Sequence, residues 1–138
     1  MKIRRGLTVL LAAAAAGLAP SCVEAAGKFD GSVPMLCVPT VVTECGTDGD
    51  CKRGTAASVN LPEFLKVDLK AMKVYAEGTG RESPIRNLEH LNDTLIVQGG
   101  QDGRAWSMTI AEGTGRMSST ISTHTEGFII FGACTLLP

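Results

Sequence analysis

The sequence predicts a small all-β protein, an antiparallel meander that is barrel-like or a strongly curved sheet and is stapled by disulfides. Three observations predict this fold class. Short stretches of alternating apolar and polar residues recur from Phe64 onward, and turn residues such as Gly, Asn and Asp separate them. Runs with helical periodicity are scarce. The cysteines that remain after the leader region are even in number, as in disulfide-bonded exported proteins.

The strands follow one another with tight links, so an antiparallel meander is the expected topology. In the first strand, Leu65 and Val67 alternate with charged residues. Strands are predicted at residues 65–69, 72–74, 85–91, 94–98, 106–110, 117–122 and 127–134. Trp106 falls on the apolar phase of its strand, which predicts packing in the core. Before the first strand, Thr55 is expected to cap a single helical turn over residues 56–59.

The hexapeptide AEGTGR occurs twice, at residues 76–81 and 111–116. Neither copy fits a phosphate-binding loop, because each lacks the GxxxxGK[ST] or GxGxxG pattern and is followed by strand-like residues. Aligning the copies places Met72 and Val74, both predicted to face inward, on positions of the later strand predicted to face outward. Because a one-residue offset reverses the buried face of a strand, the flanks are not a duplicated unit. Two hairpin turns are the prediction.

The N-terminal region predicts export. A basic MKIRR segment precedes an apolar run, and small residues follow at Val23-Glu24-Ala25, which predicts a signal peptide over residues 1–25 and one β domain over residues 26–138. The stretch ending at Cys22 also has some features of a bacterial lipobox, so lipidation at Cys22 stays open. We therefore expect a periplasmic or secreted protein, which contacts a membrane only if Cys22 carries lipid.

Four cysteines remain after either processing route, and four cysteines allow three connectivities. Cys45 and Cys51 enclose a flexible Gly-Thr-Asp-Gly-Asp stretch that can fold back on itself. Cys37 and Cys134 stand near the two ends of the domain, where a cross-link restricts the unfolded chain most. The favoured pairs are Cys45–Cys51 and Cys37–Cys134.

Charge and motifs exclude several function classes. The chain holds 13 Lys and Arg against 14 Asp and Glu, a net charge of −1, so nucleic acid is not an expected partner. Metalloprotease, nucleophile-elbow and c-type haem motifs do not occur, so no catalytic, cofactor-binding or metal-binding residue is predicted. Asp48 and Asp50 have the spacing of a calcium loop but lack its remaining ligands. We interpret them as an acidic turn closed by a disulfide.

These exclusions favour a non-enzymatic binding or envelope-associated module. Its partner would be an envelope or extracellular protein, or a small ligand. The alternative is a small metal-dependent or hydrolytic enzyme whose site is assembled from scattered residues such as His124, Glu126 and Asp48.

Four segments carry a resemblance to known proteins: PMLCVPTVVTECGTDGDCKRGTA, LPEFLKVDLKAMKV, SPIRNLEHLNDTLIVQGGQDGRAWSMTIAEGTGRMSSTIS and FIIFGACT. They resemble a family of small exported bacterial proteins with an LC…EC…C…FGAC cysteine pattern. The resemblance covers nearly all of residues 26–138 and implies no particular activity. The chain is also similar in size, export and late cysteine to small β-barrel inhibitors of lysozyme in the periplasm. That similarity implies an alternative role as an inhibitor of a lytic enzyme.

Overall fold

The computed structural model describes residues 28–138, so the predicted signal peptide and Cys22 lie outside the described residues. This part of the chain forms strands and one 3-10 helix at Ala57–Val59. The strands are β1 (Met35–Gly46), β2 (Cys51–Gly54), β3 (Leu65–Asp68), β4 (Lys73–Ala76), β5 (Arg81–Leu91), β6 (Thr94–Gln101), β7 (Arg104–Ala111), β8 (Arg116–Ser122) and β9 (Glu126–Leu136). None of the helical structure over residues 28–138 is long and apolar enough to cross a bilayer.

The strands close into an antiparallel barrel of eight strands, which confirms the predicted all-β fold. From β3 to β9, consecutive strands are neighbours, as a meander requires. β1 closes the ring by pairing with β9 along its length and with β3 over Met35–Cys37. β2 is a short hairpin strand added to β1 beyond β3.

The barrel has two ends. The mouth carries the turns β4–β5, β6–β7 and β8–β9, and the base carries the turns β3–β4, β5–β6 and β7–β8.

The closing strand β1 was not predicted from the sequence, in which strands were expected only from residue 65 onward. Its apolar pattern changes phase, because the register with β9 shifts between Pro39 and Val41. Met35 and Cys37 face inward before the shift, and Val42 faces inward after it. Proline lacks the N–H that a sheet ladder needs and is accommodated at such an irregularity. The irregularity therefore hides the strand from a test for simple alternation.

Alternate residues of the eight barrel strands fill the interior. On β6 and β7, Leu95, Val97 and Ile110 are fully buried and Met108 nearly so. The core consists of Met35, Cys37, Val42, Val67, Val74, Ile85, Leu95, Val97, Met108, Ile110, Met117, Ile130 and Cys134. The inward phase predicted for the strand of Trp106 is confirmed, since Met108 and Ile110 share this phase and are buried.

Both predicted disulfides are present, Cys37–Cys134 and Cys45–Cys51. Each joins residues directly opposite one another on neighbouring antiparallel strands, across β1–β9 for the first bridge and across β1–β2 for the second. Cys37 and Cys134 lie in the core, whereas Cys51 is exposed. Two disulfides indicate an oxidising, extracytoplasmic environment.

Met72 differs from its prediction. It was expected on a strand and facing inward, but it lies in the β3–β4 turn with φ of 53° and a side chain that is 37% exposed. The turn begins earlier than expected because Asp68 Oδ1 accepts a hydrogen bond from the Ala71 N–H at 3.0 Å. This contact ends β3 at Asp68, so β4 begins only at Lys73.

The helical turn before β3 is confirmed. Thr55 Oγ1 accepts a hydrogen bond from the Ser58 N–H at 3.3 Å, and Ser58 Oγ accepts one from the Thr55 N–H at 3.0 Å. Two backbone donors at the start of the turn are thereby satisfied reciprocally. The turn ends at Asn60, whose φ of 53° is left-handed.

Both copies of AEGTGR form turns between consecutive strands, as predicted. They lie at opposite ends of the barrel, residues 76–81 at the mouth and residues 111–116 at the base. Their conformations differ, because Gly78 has a positive φ of 74° and its counterpart Gly113 does not. In the second copy, the Gly115 N–H donates to the Ala111 carbonyl at 2.8 Å, and Gly115 packs against the Phe29 ring. Neighbouring contacts therefore select the turn type.

Candidate functional site

A cavity of about 420 Å³ opens at the mouth of the barrel. Its wall is formed by the inward side chains of β3, β4, β5, β7, β8 and β9, and its rim by the β4–β5 and β6–β7 turns. Ligand sites are commonly found in the mouths of β-barrels, and cavities of about 300–1,000 Å³ accept small molecules. The mouth cavity is therefore the candidate functional site.

The wall of the mouth cavity is mainly apolar. Leu65 and Val74 line one side, and Met108, Ile121 and Ile130 line the other. Strand alternation places these side chains inward. Val74, for example, lies directly opposite the buried Val67, and Ile130 lies directly opposite the buried Ser119. The deepest of them, Ile130, is 1% exposed and also belongs to the core. The cavity is thus continuous with the packed interior.

Trp106 is the largest side chain in this wall, and its orientation is fixed. The indole Nε1–H donates a hydrogen bond to Ser83 Oγ at 2.8 Å. Gly99 lies directly opposite Trp106 on β6, and a Cβ atom at this position would overlap the indole ring. Trp106 packs against the core, as the sequence predicted, and one part of the ring also faces the cavity. The cavity-facing role was not predicted.

Two serine hydroxyls supply polar atoms among these apolar side chains. Ser83 accepts the hydrogen bond from Trp106. Ser119 is 6% exposed, and its hydroxyl donates to the Ser107 carbonyl at 2.9 Å. Over residues 28–138, every buried side-chain nitrogen or oxygen has a hydrogen-bond partner. The cavity therefore has an apolar wall with a few fixed polar groups, which is the usual composition of a small-molecule site.

Charged residues surround the entrance. Arg81 begins β5, Arg104 begins β7, and Asp102 lies in the turn between β6 and β7. The Arg81 guanidinium donates to the Asn60 carbonyl from its two terminal nitrogens, at 3.4 and 3.3 Å. Glu82 accepts a hydrogen bond from Lys73 Nζ at 2.6 Å, and this contact raises the pKa of Lys73 above its usual 10.5. The carboxylate of Glu82 is therefore already paired.

One side of the entrance is covered by chain that belongs to no strand. β2 and β3 pair with different parts of β1, and residues 55–64 run between them. Leu61 and Pro62 of this segment line the mouth cavity. The Asn60 contact to Arg81 and a hydrogen bond from the Glu77 N–H to the Phe64 carbonyl, at 3.0 Å, hold the segment against the β4–β5 turn.

The base of the barrel is closed by the N-terminal segment. The Phe29 N–H donates to the Glu112 carbonyl at 2.9 Å, and the Phe29 ring packs on Gly115. A surface depression beside it contains His90, whose Nδ1 lies 2.7 Å from Glu112 Oε1. Asp30 also borders it, and a hydrogen bond from the Ser32 N–H lowers the pKa of Asp30. Because most of its side chains are exposed, this depression is a weaker candidate than the mouth cavity.

The residues of the alternative enzyme hypothesis do not form a metal centre. Within the range 28–138, no group of three or more His, Cys, Asp or Glu side chains is placed to hold a metal ion. His124 is exposed in the β8–β9 turn. Asp48 Oδ1 instead accepts a hydrogen bond from the Asp50 N–H at 3.1 Å inside the β1–β2 hairpin. Both aspartates therefore belong to the disulfide-closed acidic turn.

The sequence contains one signal for the cavity, at the start of β7. Arg104, Trp106 and Met108 alternate on one strand, which places an arginine in the inward phase at the strand's first residue. The arrangement is recognisable as a site only when the other strands are in place. Comparison of the chain with protein-family models, curated proteins and solved structures finds no match.

Proposed function

We propose that this protein is an exported, non-enzymatic binding module and that the barrel mouth holds a small, mainly apolar ligand. The observation that carries the proposal is the mouth cavity itself. It combines an apolar wall with a tryptophan held in place by Ser83 and Gly99. A preformed wall lowers the cost of ordering side chains when a ligand binds.

The predicted signal peptide and the two disulfides support a periplasmic or secreted location for the binding module. If Cys22 is lipidated, the same barrel would be tethered to a membrane surface. In either case, the partner would be a small ligand met in the envelope or outside the cell.

The chemistry of the cavity wall favours binding over catalysis. Among residues 28–138, no histidine or cysteine lines the cavity. The hydroxyls of Ser83 and Ser119 both take part in hydrogen bonds. An activated nucleophile needs a base within hydrogen-bond distance, and the contact to Ser83 comes from an indole donor instead. These features suit a ligand that is held and released unchanged.

A neutral apolar dye tests the proposed function. N-phenyl-1-naphthylamine should bind with a saturable fluorescence increase at one site per chain, and excitation of Trp106 should transfer energy to the dye. Ala76→Phe should abolish the signal, because Ala76 lines the cavity and a phenyl group there would fill it. Ala105→Phe adds the same group at an exposed position of β7 and should leave binding intact. Dye binding that Ala76→Phe does not change would refute the proposal.

A further inference from the structure

We infer that the ligand of the mouth cavity is an anionic amphiphile, whose apolar part lies in the barrel and whose acidic group meets Arg81 and Arg104. The inference rests on the proposed function and extends it to a chemical class. It is carried by the position of the two arginines at the entrance of an apolar cavity.

Strand alternation directs both arginines toward the barrel axis. Arg104 has the same phase as the inward residues Trp106 and Met108 of β7. Arg81 is two residues before the inward Ser83, and it lies directly opposite Ala76, which also lines the cavity. Each arginine is the first residue of its strand, so its head group reaches the rim. An apolar wall below two guanidinium groups is complementary to a ligand with an apolar chain and an acidic group at one end.

The charge of the two arginines is not neutralised within the described structure. Ion pairs there involve Lys73 with Glu82 and His90 with Glu112, and neither pair includes Arg81 or Arg104. Within residues 28–138, the Arg81 side chain donates hydrogen bonds only to neutral oxygens, those of the Asn60 carbonyl and the Thr79 hydroxyl.

Among the carboxylates that line the cavity, Glu82 is held by Lys73, which leaves Asp102 to oppose two guanidinium groups. The balance of charge among the lining residues is therefore positive. A planar guanidinium also matches a carboxylate or phosphate with two parallel hydrogen bonds, which favours an anion over a neutral polar group.

The cavity volume limits the length of the ligand. A water-sized group occupies about 30 Å³, so 420 Å³ holds about 14 such groups. A twelve-carbon chain with a carboxylate has about this size, which makes dodecanoate a suitable probe. Longer chains would have to extend beyond the rim or displace residues 55–64.

The single tryptophan gives a direct readout, because Trp106 lines the cavity and the chain has one Trp. Three probes with the same chain are titrated, dodecanoate and dodecyltrimethylammonium below their micellar concentrations and 1-dodecanol below its solubility limit. Saturable changes in Trp106 fluorescence are expected for the first two, with dodecanoate bound about tenfold more tightly than dodecanol. The preference for dodecanoate should weaken at high salt, since the arginines are exposed.

Variants that remove a positive charge test which arginines cause the preference for dodecanoate over dodecanol. Arg104→Gln, which breaks no hydrogen bond described for the wild type, should reduce the dodecanoate preference, and Arg81→Gln with Arg104→Gln should remove it while dodecanol binding persists. Arg86→Gln with Arg116→Gln removes the same charge from exposed positions outside the cavity lining and should preserve it. Equal affinity for dodecanoate and dodecanol in the wild type, tighter binding of the cationic probe, or an equal effect of the control pair would overturn the inference. The proposed function would survive these results if the neutral dye still bound, and it would fail if the dye did not.

Discussion

The indole of Trp106 on β7 reaches across β6 to donate its Nε1–H to Ser83 Oγ on β5, at 2.8 Å. The ring can cross the intervening strand because the residue beneath it is Gly99, which pairs directly with Trp106. Three strands are thus joined by one side chain, and the face of that side chain forms part of the mouth cavity. A substitution that moves Trp106 would therefore affect both the stability of the barrel and the shape of the mouth cavity.

Gly99→Ala should therefore destabilise the protein. A Cβ at residue 99 would overlap both the Trp106 ring and the Pro84 carbonyl, and relief requires a shift of the indole or the strand. Overpacking of this kind costs about 1–3 kcal/mol. Urea unfolding should show a lower midpoint, and native Trp106 fluorescence should shift as the ring moves. Gly113→Ala is the control, since a Cβ there meets nothing within 4 Å, and an equal loss in both variants would contradict this account.

Ser83→Ala should leave the indole N–H without its partner. Because the hydrogen bond is partly buried, the expected loss is about 1 kcal/mol in the free energy of unfolding. The indole N–H resonance of Trp106 should also move in a proton–nitrogen correlation spectrum. Ser122→Ala, at an exposed position on β8, should change neither quantity. An unchanged indole resonance in Ser83→Ala would show that the hydrogen bond is absent in solution.

Much of the barrel follows from sequence pattern because a meander is built from local hairpins. The strands from residue 106 to residue 122 have regular alternation and a tight turn between them, so both their phase and their pairing were predictable. Closure was not, because it depends on pairing between β1 and β9 at opposite ends of the domain. The phase shift between Pro39 and Val41 also removes the periodic signal from β1.

The candidate site was harder to predict than the fold. Trp106 and Arg104 are close in sequence, but Arg81, Leu61 and Ile130 reach the cavity from distant elements. Each of these residues has an ordinary local explanation as a turn residue, a loop residue or a core residue. Their meeting depends on closure of the barrel. The Cys37–Cys134 bridge was the one long-range contact that the sequence favoured among three possible connectivities, because these cysteines stand near the two ends of the domain.

The Lys73–Glu82 pair predicts a small effect of alkaline pH. Hydrogen bonding to Glu82 raises the pKa of Lys73 in the folded protein above its usual 10.5. A raised folded-state pKa gives a stabilisation that is fully present below the unfolded value and is lost as pH rises through the folded value. Between pH 9 and pH 12, the urea midpoint of the wild type should therefore fall more than that of Glu82→Gln. Parallel pH profiles would show that the pair contributes nothing measurable, as for many exposed ion pairs.

The two disulfides should contribute unequally. Cys37 and Cys134 are 97 residues apart, whereas Cys45 and Cys51 are 6 residues apart. In the chain-entropy account, loss of the long-range bridge costs about 3–5 kcal/mol and loss of the short one about 2 kcal/mol. Replacing Cys37 and Cys134 with Ala also removes a core contact between the closing strands β1 and β9, because both residues are buried. Replacing Cys45 and Cys51 with Ala affects only a partly exposed hairpin.

The first double variant should therefore have the lower melting temperature and urea midpoint. Mass mapping of the wild type without reduction verifies the two pairings before the comparison is made. Dye binding separates the two effects on the site, because neither bridge lines the mouth cavity. We expect the hairpin variant to bind N-phenyl-1-naphthylamine as the wild type does. The core variant should bind it only at temperatures where the barrel is still closed. Equal melting temperatures, or a lower one for the hairpin variant, would contradict a dominant role for the bridge that joins β1 to β9.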